Sequence, residues 1–138
     1  MSYDLTRFIT AQEHSYDAAL SEIKSGRKRT HWMWYIFPQI EGLGHSATAQ
    51  FYAISDLQEA KEYYSHPVLG PRLVEISEAL LSLEGDNATT VMGYPDDLKL
   101  KSSMTLFAIA SGNPVFTQVL EKYFDGRQDR YTVKILGL

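Results

Sequence analysis

The chain contains no cysteine, which excludes a disulfide framework, a thiolate zinc site and a cysteine nucleophile together. It also lacks any apolar stretch near the ~20 residues needed to cross a bilayer. Met1 to Arg7 show no apolar run preceded by basic residues, so no secretory leader is visible and a cytoplasmic location is expected. In that setting the match of Asn87-Ala88-Thr89 to a glycosylation acceptor is read as chance. A large charge of one sign is missing too: 17 acidic against 13 basic residues leave a formal charge of −4. That mild acidity argues against broad adhesion to nucleic acid or to an anionic membrane, while leaving room for a local basic patch. No repeat, low-complexity tract or linker divides the chain, so residues 1–138 read as one domain.

What is present is an ordinary globular composition, 44% hydrophobic and 22% charged, far from that of disordered chains. At 138 residues the chain is long enough to bury one sizeable core. The strongest periodic signal follows His66-Pro67, where Leu69, Leu73, Ile76, Leu80 and Leu83 recur at helical spacing, with Arg72, Glu75, Glu78 and Ser82 opposite. Asp96 and Asp97 open a further helix at its dipole-favoured end, and its second half, Met104 to Ala110, is apolar all round, as in a helix surrounded by protein. Asn113-Pro114 caps and starts another, with Phe116, Val119, Leu120, Tyr123 and Phe124 on one stripe. Asp4, Ser15, Ser55 or Asp56, Asn87 and Asp129 are capping candidates for shorter helices. Thr30 is read as capping the aromatic run His31 to Phe37 as a helix, with a strand as the alternative because aromatics favour strands, and Pro38 stops the run. Ser46 to Ile54 is read as helical. The expected fold is all-α: a compact, irregular bundle of about seven short helices.

Several motifs are formal matches only. Gly42-Leu43-Gly44-His45-Ser46-Ala47 fits G-x-G-x-x-A, but Pro38 interrupts the strand that a dinucleotide fold requires. A glycine loop admitting a phosphate or carboxylate in another fold, or a plain turn, suits Gly42 and Gly44 better. Ser25-Gly26-Arg27-Lys28 fits S-x-x-K, yet Gly26 at a helix end spoils the shared face that this chemistry needs. Four scattered histidines show no ligand spacing, so no metal site is assigned. The basic run Lys24, Arg27, Lys28 and Arg29 reads as a solvated loop that is able to attract phosphates.

Two stretches carry more chemistry. His31-Trp32-Met33-Trp34 through Gln39 packs indoles and an imidazole together, either as aromatic core or as the wall of an amphipathic pocket. On the second stretch, helical spacing places Asp96, Lys99 and Ser103 on one stripe beside Ser102. These residues form either a phosphate- or carboxylate-holding helix start or a surface ion pair with serines bonded one turn back.

Taken together, His31-Trp32-Met33-Trp34, Phe37-Pro38-Gln39, Gly42-Leu43-Gly44, His66-Pro67 with Leu69-Gly70 and Arg72-Leu73, and Lys99 with Ser102 to Phe107 resemble a bacterial domain-of-unknown-function family numbered 1810. The likeness spans about Phe8 to Thr132. It implies a small, mostly helical single domain and no established reaction or catalytic residue. Members are often labelled calpastatin. Inhibitors of that name are long, repetitive and disordered until bound, whereas this chain is short and rich in core residues, so the label does not fit.

The leading expectation is a site for a small anionic, nucleotide-like ligand between the two stretches, with a hydrolase as its enzymatic form. Its candidate residues are His31, Trp32, Trp34, Gln39, Gly42, Gly44, Arg72, Asp96, Lys99, Ser102 and Ser103. His31 or Asp96 would serve as a general base. The alternative is a non-catalytic interaction module that uses the basic loop and exposed aromatics. No cofactor and no oligomeric state is implied.

Overall fold

The structure, a computed structural model, describes residues 3–138. Met1 and Ser2, the first of the residues read for a leader, lie outside the described residues. The architecture is all-α, as the periodicity indicates. Ten helices are present among the described residues: α1 (Thr6–Glu13), α2 (Tyr16–Lys24), α3 (Met33–Ile36), α4 (Ala47–Phe51), α5 (Leu57–Ser65), α6 (Leu69–Ser82), α7 (Ala88–Met92), α8 (Asp96–Ser111), α9 (Pro114–Phe124) and α10 (Arg130–Ile135). Six of them exceed two turns and build the bundle, while α3, α4, α7 and α10 are short pieces that shape its surface. None is long and apolar enough to cross a membrane.

The all-round apolar half of α8 has a direct structural cause. Helices α5, α7, α9 and α10 all pack on α8, and residues 102–107 are buried in succession. The stripe of α6 meets α2, α5 and α9. Aromatic pairs tie the layers together: Tyr63 of α5 and Phe107 of α8 lie 5.2 Å apart, and Phe107 lies 6.0 Å from Phe116 of α9.

Capping follows the sequence at most helix starts, but Ser15 precedes α2 without a side-chain bond to it, and Leu5 rather than Asp4 holds the cap position of α1. Ser46, Asp56, Asn87, Asn113 and Asp129 each accept an amide hydrogen bond at the start of the helix they precede. The imidazole Nδ1 of His66 accepts from the Val68 and Leu69 amides at the entry to α6. At the other end of α6, the Lys122 ammonium donates to the carbonyls of Leu80, Leu81 and Leu83, which satisfies groups that the helix leaves open.

Two local expectations need correction. Thr30 does not cap the aromatic run. Its amide and hydroxyl both donate to the Glu22 carboxylate, so the chain turns helical only at Met33 and for a single turn. The helix expected up to Ile54 stops at Phe51, because Ile54 pairs with Ile40 in an isolated parallel bridge. The Ile54 amide donates to the Gln39 carbonyl and the Glu41 amide donates to the Ile54 carbonyl. Both side chains are buried, so tertiary packing outweighs local helical preference here.

Candidate functional site

The two stretches singled out from the sequence meet at the start of α8. Asp96 lies between two lysines, with Lys28 Nζ 2.9 Å from its Oδ2 and Lys99 Nζ 3.4 Å from its Oδ1. Each lysine also sits over an indole. Lys28 Nζ is 4.9 Å from the Trp32 ring centre, and Lys99 Nζ is 5.6 Å from that of Trp34. The result is a ladder of ring, cation, anion, cation and ring that joins the aromatic segment to the Asp96 helix. Lys28 is not a solvated loop residue: its side chain is 7% exposed, and its ammonium also donates to the Thr30 carbonyl at 2.6 Å.

Behind the ladder, Glu22 organises the loop. Its carboxylate accepts from the Arg29 and Thr30 amides, the Thr30 hydroxyl and the Trp32 indole N–H, at 2.6–3.0 Å. Burial alone would push the Glu22 pKa up. The Thr30 hydroxyl, the two amides and the indole outweigh that effect and hold it down to about 2.

In front of the ladder lies an open groove of about 780 Å³. One wall is the start of α8, with Pro95, Leu98, Lys99, Lys101 and Ser102. The opposite wall runs from Arg127 to Tyr131, and Gln39, Leu43 and Gly44 close one end. Four cations, Lys99, Lys101, Arg127 and Arg130, therefore face one space in a chain whose net charge is negative. Among the described residues only Lys99 of these four has an ion-pair partner. The sole carboxylate on the lining is Asp129, whose Oδ2 accepts from Ser102 Oγ and from the amide and hydroxyl of Thr132.

Of the residues chosen from the sequence, Gln39, Gly44, Lys99 and Ser102 line this groove. Trp34 is half-buried beneath Lys99 and lines an adjoining crevice of only about 10 Å³ with Gln39 and Gly44, room for at most one water. Asp96 stands behind Lys99 and orients it. Gly42 adopts a positive φ of 106° in the turn packed against Ile135 of α10. Trp32 is 1% exposed, with its indole N–H committed to Glu22, so it belongs to the core. His31 is exposed and absent from the groove lining.

Arg72 lies away from the groove. Its guanidinium packs 5.1 Å from the Tyr16 ring centre and reaches Gln12 Oε1 at 3.5 Å. There Tyr16 donates to Glu75 at 2.5 Å, and burial together with that carboxylate pushes the phenol's pKa up.

Ser103 is fully buried, and its hydroxyl has no hydrogen-bond partner among the described residues. Ser103→Ala removes an unsatisfied polar group, so stability should stay within about 0.5 kcal/mol of the parent or rise. Thermal denaturation measures this directly; a loss above about 1 kcal/mol would mean that the hydroxyl has a partner.

The second wall escaped sequence reasoning. The sequence marks Asp129 only as a helix cap, and nothing in the spacing of Arg127, Arg130 and Tyr131 places them against a helix start some thirty residues earlier. The available signal was the clustering of Arg127, Arg130 and an aromatic just after Gly126. Another groove, of about 490 Å³, lies between Tyr64, His66, Gly70, Val74 and Asn113, but no lysine or arginine lines it. No cluster of three or more histidine, aspartate or glutamate side chains able to hold a metal occurs among the described residues.

Comparison with known proteins agrees with the fold. The crystal structure at 1.38 Å of the conserved hypothetical protein Rv1873 from Mycobacterium tuberculosis superimposes with a TM-score of 0.96 at 47% identity, covering 99% of this chain and 98% of that one. No curated protein matches the chain. Residues 2–136 match the family described as "Protein of unknown function (DUF1810)". Matched over nearly its whole length, the chain belongs to the DUF1810 family.

Proposed function

We propose that the groove between the start of α8 and the Arg127–Tyr131 segment binds a small anionic, phosphate-bearing ligand. The observation that carries this reading is the convergence of Lys99, Lys101, Arg127 and Arg130 on one concave space in an acidic protein. Like charges held together, three of them without an ion-pair partner among the described residues, repel one another and are stabilised when an anion joins them. Leu43, Pro95, Leu98 and Tyr131 supply apolar wall, which suits a ligand that also carries a flat or apolar part. A volume of about 780 Å³ falls within the range of small-molecule sites.

The arrangement favours binding over bond cleavage. His31 does not line the groove, and Asp96 is paired with two lysines. The alternative contact surface built on Arg27, Lys28 and Arg29 loses its middle member, because Lys28 is buried in the ladder.

The test is charge reversal at two lining residues that make no ion pair among the described residues, Lys101→Glu with Arg127→Glu. Removing two charge-assisted contacts at about 1.5 kcal/mol each should weaken nucleotide or pyrophosphate binding about a hundredfold by calorimetry, with the circular dichroism spectrum unchanged. Affinity altered by less than about threefold would remove the proposal.

A further inference from the structure

The groove's charges do not suit a bare polyanion, and this mismatch carries a step that rests on the binding reading above. Among the four cations sits one carboxylate, that of Asp129. Its Oδ2 accepts from the Thr132 amide at 3.0 Å, the Thr132 hydroxyl at 2.6 Å and the Ser102 hydroxyl at 3.1 Å. Its own amide donates to the Thr105 hydroxyl at 2.8 Å. The side chain is thus fixed from both α8 and α10, while Oδ1 has no hydrogen-bond partner among the described residues.

Capping α10 does not by itself call for a charge. Asparagine or serine caps a helix as well as aspartate does. A fixed carboxylate on the lining repels phosphate oxygens, and an ionised carboxylate can only accept hydrogen bonds. What it recognises is therefore a donor, a hydroxyl or an amine, presented beside the anionic part of the ligand. Among the described residues, the lining cations free of ion pairs are Lys101, Arg127 and Arg130. Three positive charges match a diphosphate, whose terminal group carries about −1.5 to −2 and whose inner group adds one more. Tyr131, 58% exposed on the same lining, presents a ring for a base to stack upon.

We infer that Asp129 is a specificity-determining residue and that the ligand class is a nucleoside diphosphate. A sugar hydroxyl donates to Asp129 Oδ1, the phosphates meet Lys101, Arg127 and Arg130, and the base lies on Tyr131. The carboxylate then separates sugar-bearing diphosphates from inorganic ones of similar charge.

The experiment is calorimetry on the full chain with three probes: adenosine and guanosine 5′-diphosphates, their 2′,3′-dideoxy counterparts, and inorganic pyrophosphate. Each is titrated into the parent protein and into Asp129→Asn. The parent should bind at least one ribose form about tenfold more tightly than its dideoxy form and than pyrophosphate, the effect of one hydrogen bond to a charged acceptor. In Asp129→Asn, which keeps an oxygen for the α10 cap, that gap should close to about twofold and pyrophosphate should bind more tightly. Equal binding of all three probes by the parent overturns the role of Asp129 and leaves the anion groove standing. A gap that persists in Asp129→Asn also overturns it. Absence of binding by every probe at millimolar concentration removes the groove reading as well. Should Asp129→Asn fail to fold, the ribose-against-dideoxy comparison in the parent alone decides.

Discussion

Gly70→Ala should destabilise the protein by about 3 kcal/mol or more, enough to lower its melting temperature by roughly 10 °C. Gly70 lies in the first turn of α6, directly against the end of α5. A Cβ built there falls 1.9 Å from the Tyr64 carbonyl oxygen and 2.9 Å from the carbonyl carbon. Both atoms are backbone, so no rotamer change relieves the overlap. The helices would have to separate at a junction that His66 holds by accepting the Val68 and Leu69 amides. Gly85→Ala is the matched control. Its φ of 80° is left-handed but nothing lies within 4 Å of the added carbon, so the loss should be only about 1 kcal/mol. Urea denaturation separates the two; equal effects would mean that α5 and α6 do not approach as closely as described.

Glu22→Ala should remove about 2 kcal/mol of stability, since it withdraws one carboxylate from four donors. That figure is below the sum of four charged hydrogen bonds because the carboxylate is half-buried and water screens its open side. The Trp32 indole N–H, buried with its ring, would be left unsatisfied. Glu22→Gln adds a pH signature. The native carboxyl titrates at about 2 against an ordinary value of 4.5, so over that window the unfolded chain binds more protons than the folded one. The stabilisation is complete above the unfolded value and is lost as pH falls through the folded one. The stability difference between parent and Glu22→Gln should therefore be widest above about pH 5 and shrink toward pH 2. A difference independent of pH would show that the carboxylate's charge is not what holds the loop.

The same carboxylate explains much of what was and was not legible in the sequence. Helices α6 and α9 announce themselves through apolar residues at spacings of three and four, and α8 through its all-round apolar second half, which its neighbours surround. Caps such as Asn113 and Asp56 act within three residues and are equally readable. By contrast, the conformation of residues 29–32 depends on Glu22, seven to ten positions away, and the end of α4 depends on Ile54 finding Ile40. Helix propensity carries no information about either contact.

The site divides along the same line. Gln39, Gly44, Lys99 and Ser102 stood out because aromatic, glycine and lysine-serine patterns are local, and the ladder through Asp96 brings those patterns together. Trp32 and Ser103 carried equally polar side chains but turn inward, one toward Glu22 and the other into solid packing. The wall from Arg127 to Tyr131 gave no such pattern. Its residues join the groove only when α10 folds back on α8, a long-range event fixed by Asp129 meeting Ser102 and Thr105.

Amide chemical shifts during a titration with a nucleoside diphosphate address that convergence most directly. Perturbations should gather at residues 39–44, 95–102 and 127–131 and be absent from the Tyr64–Val74 groove. Shifts centred on Tyr64, His66 and Asn113, or scattered over the surface without a focus, would contradict an anion site between α8 and α10.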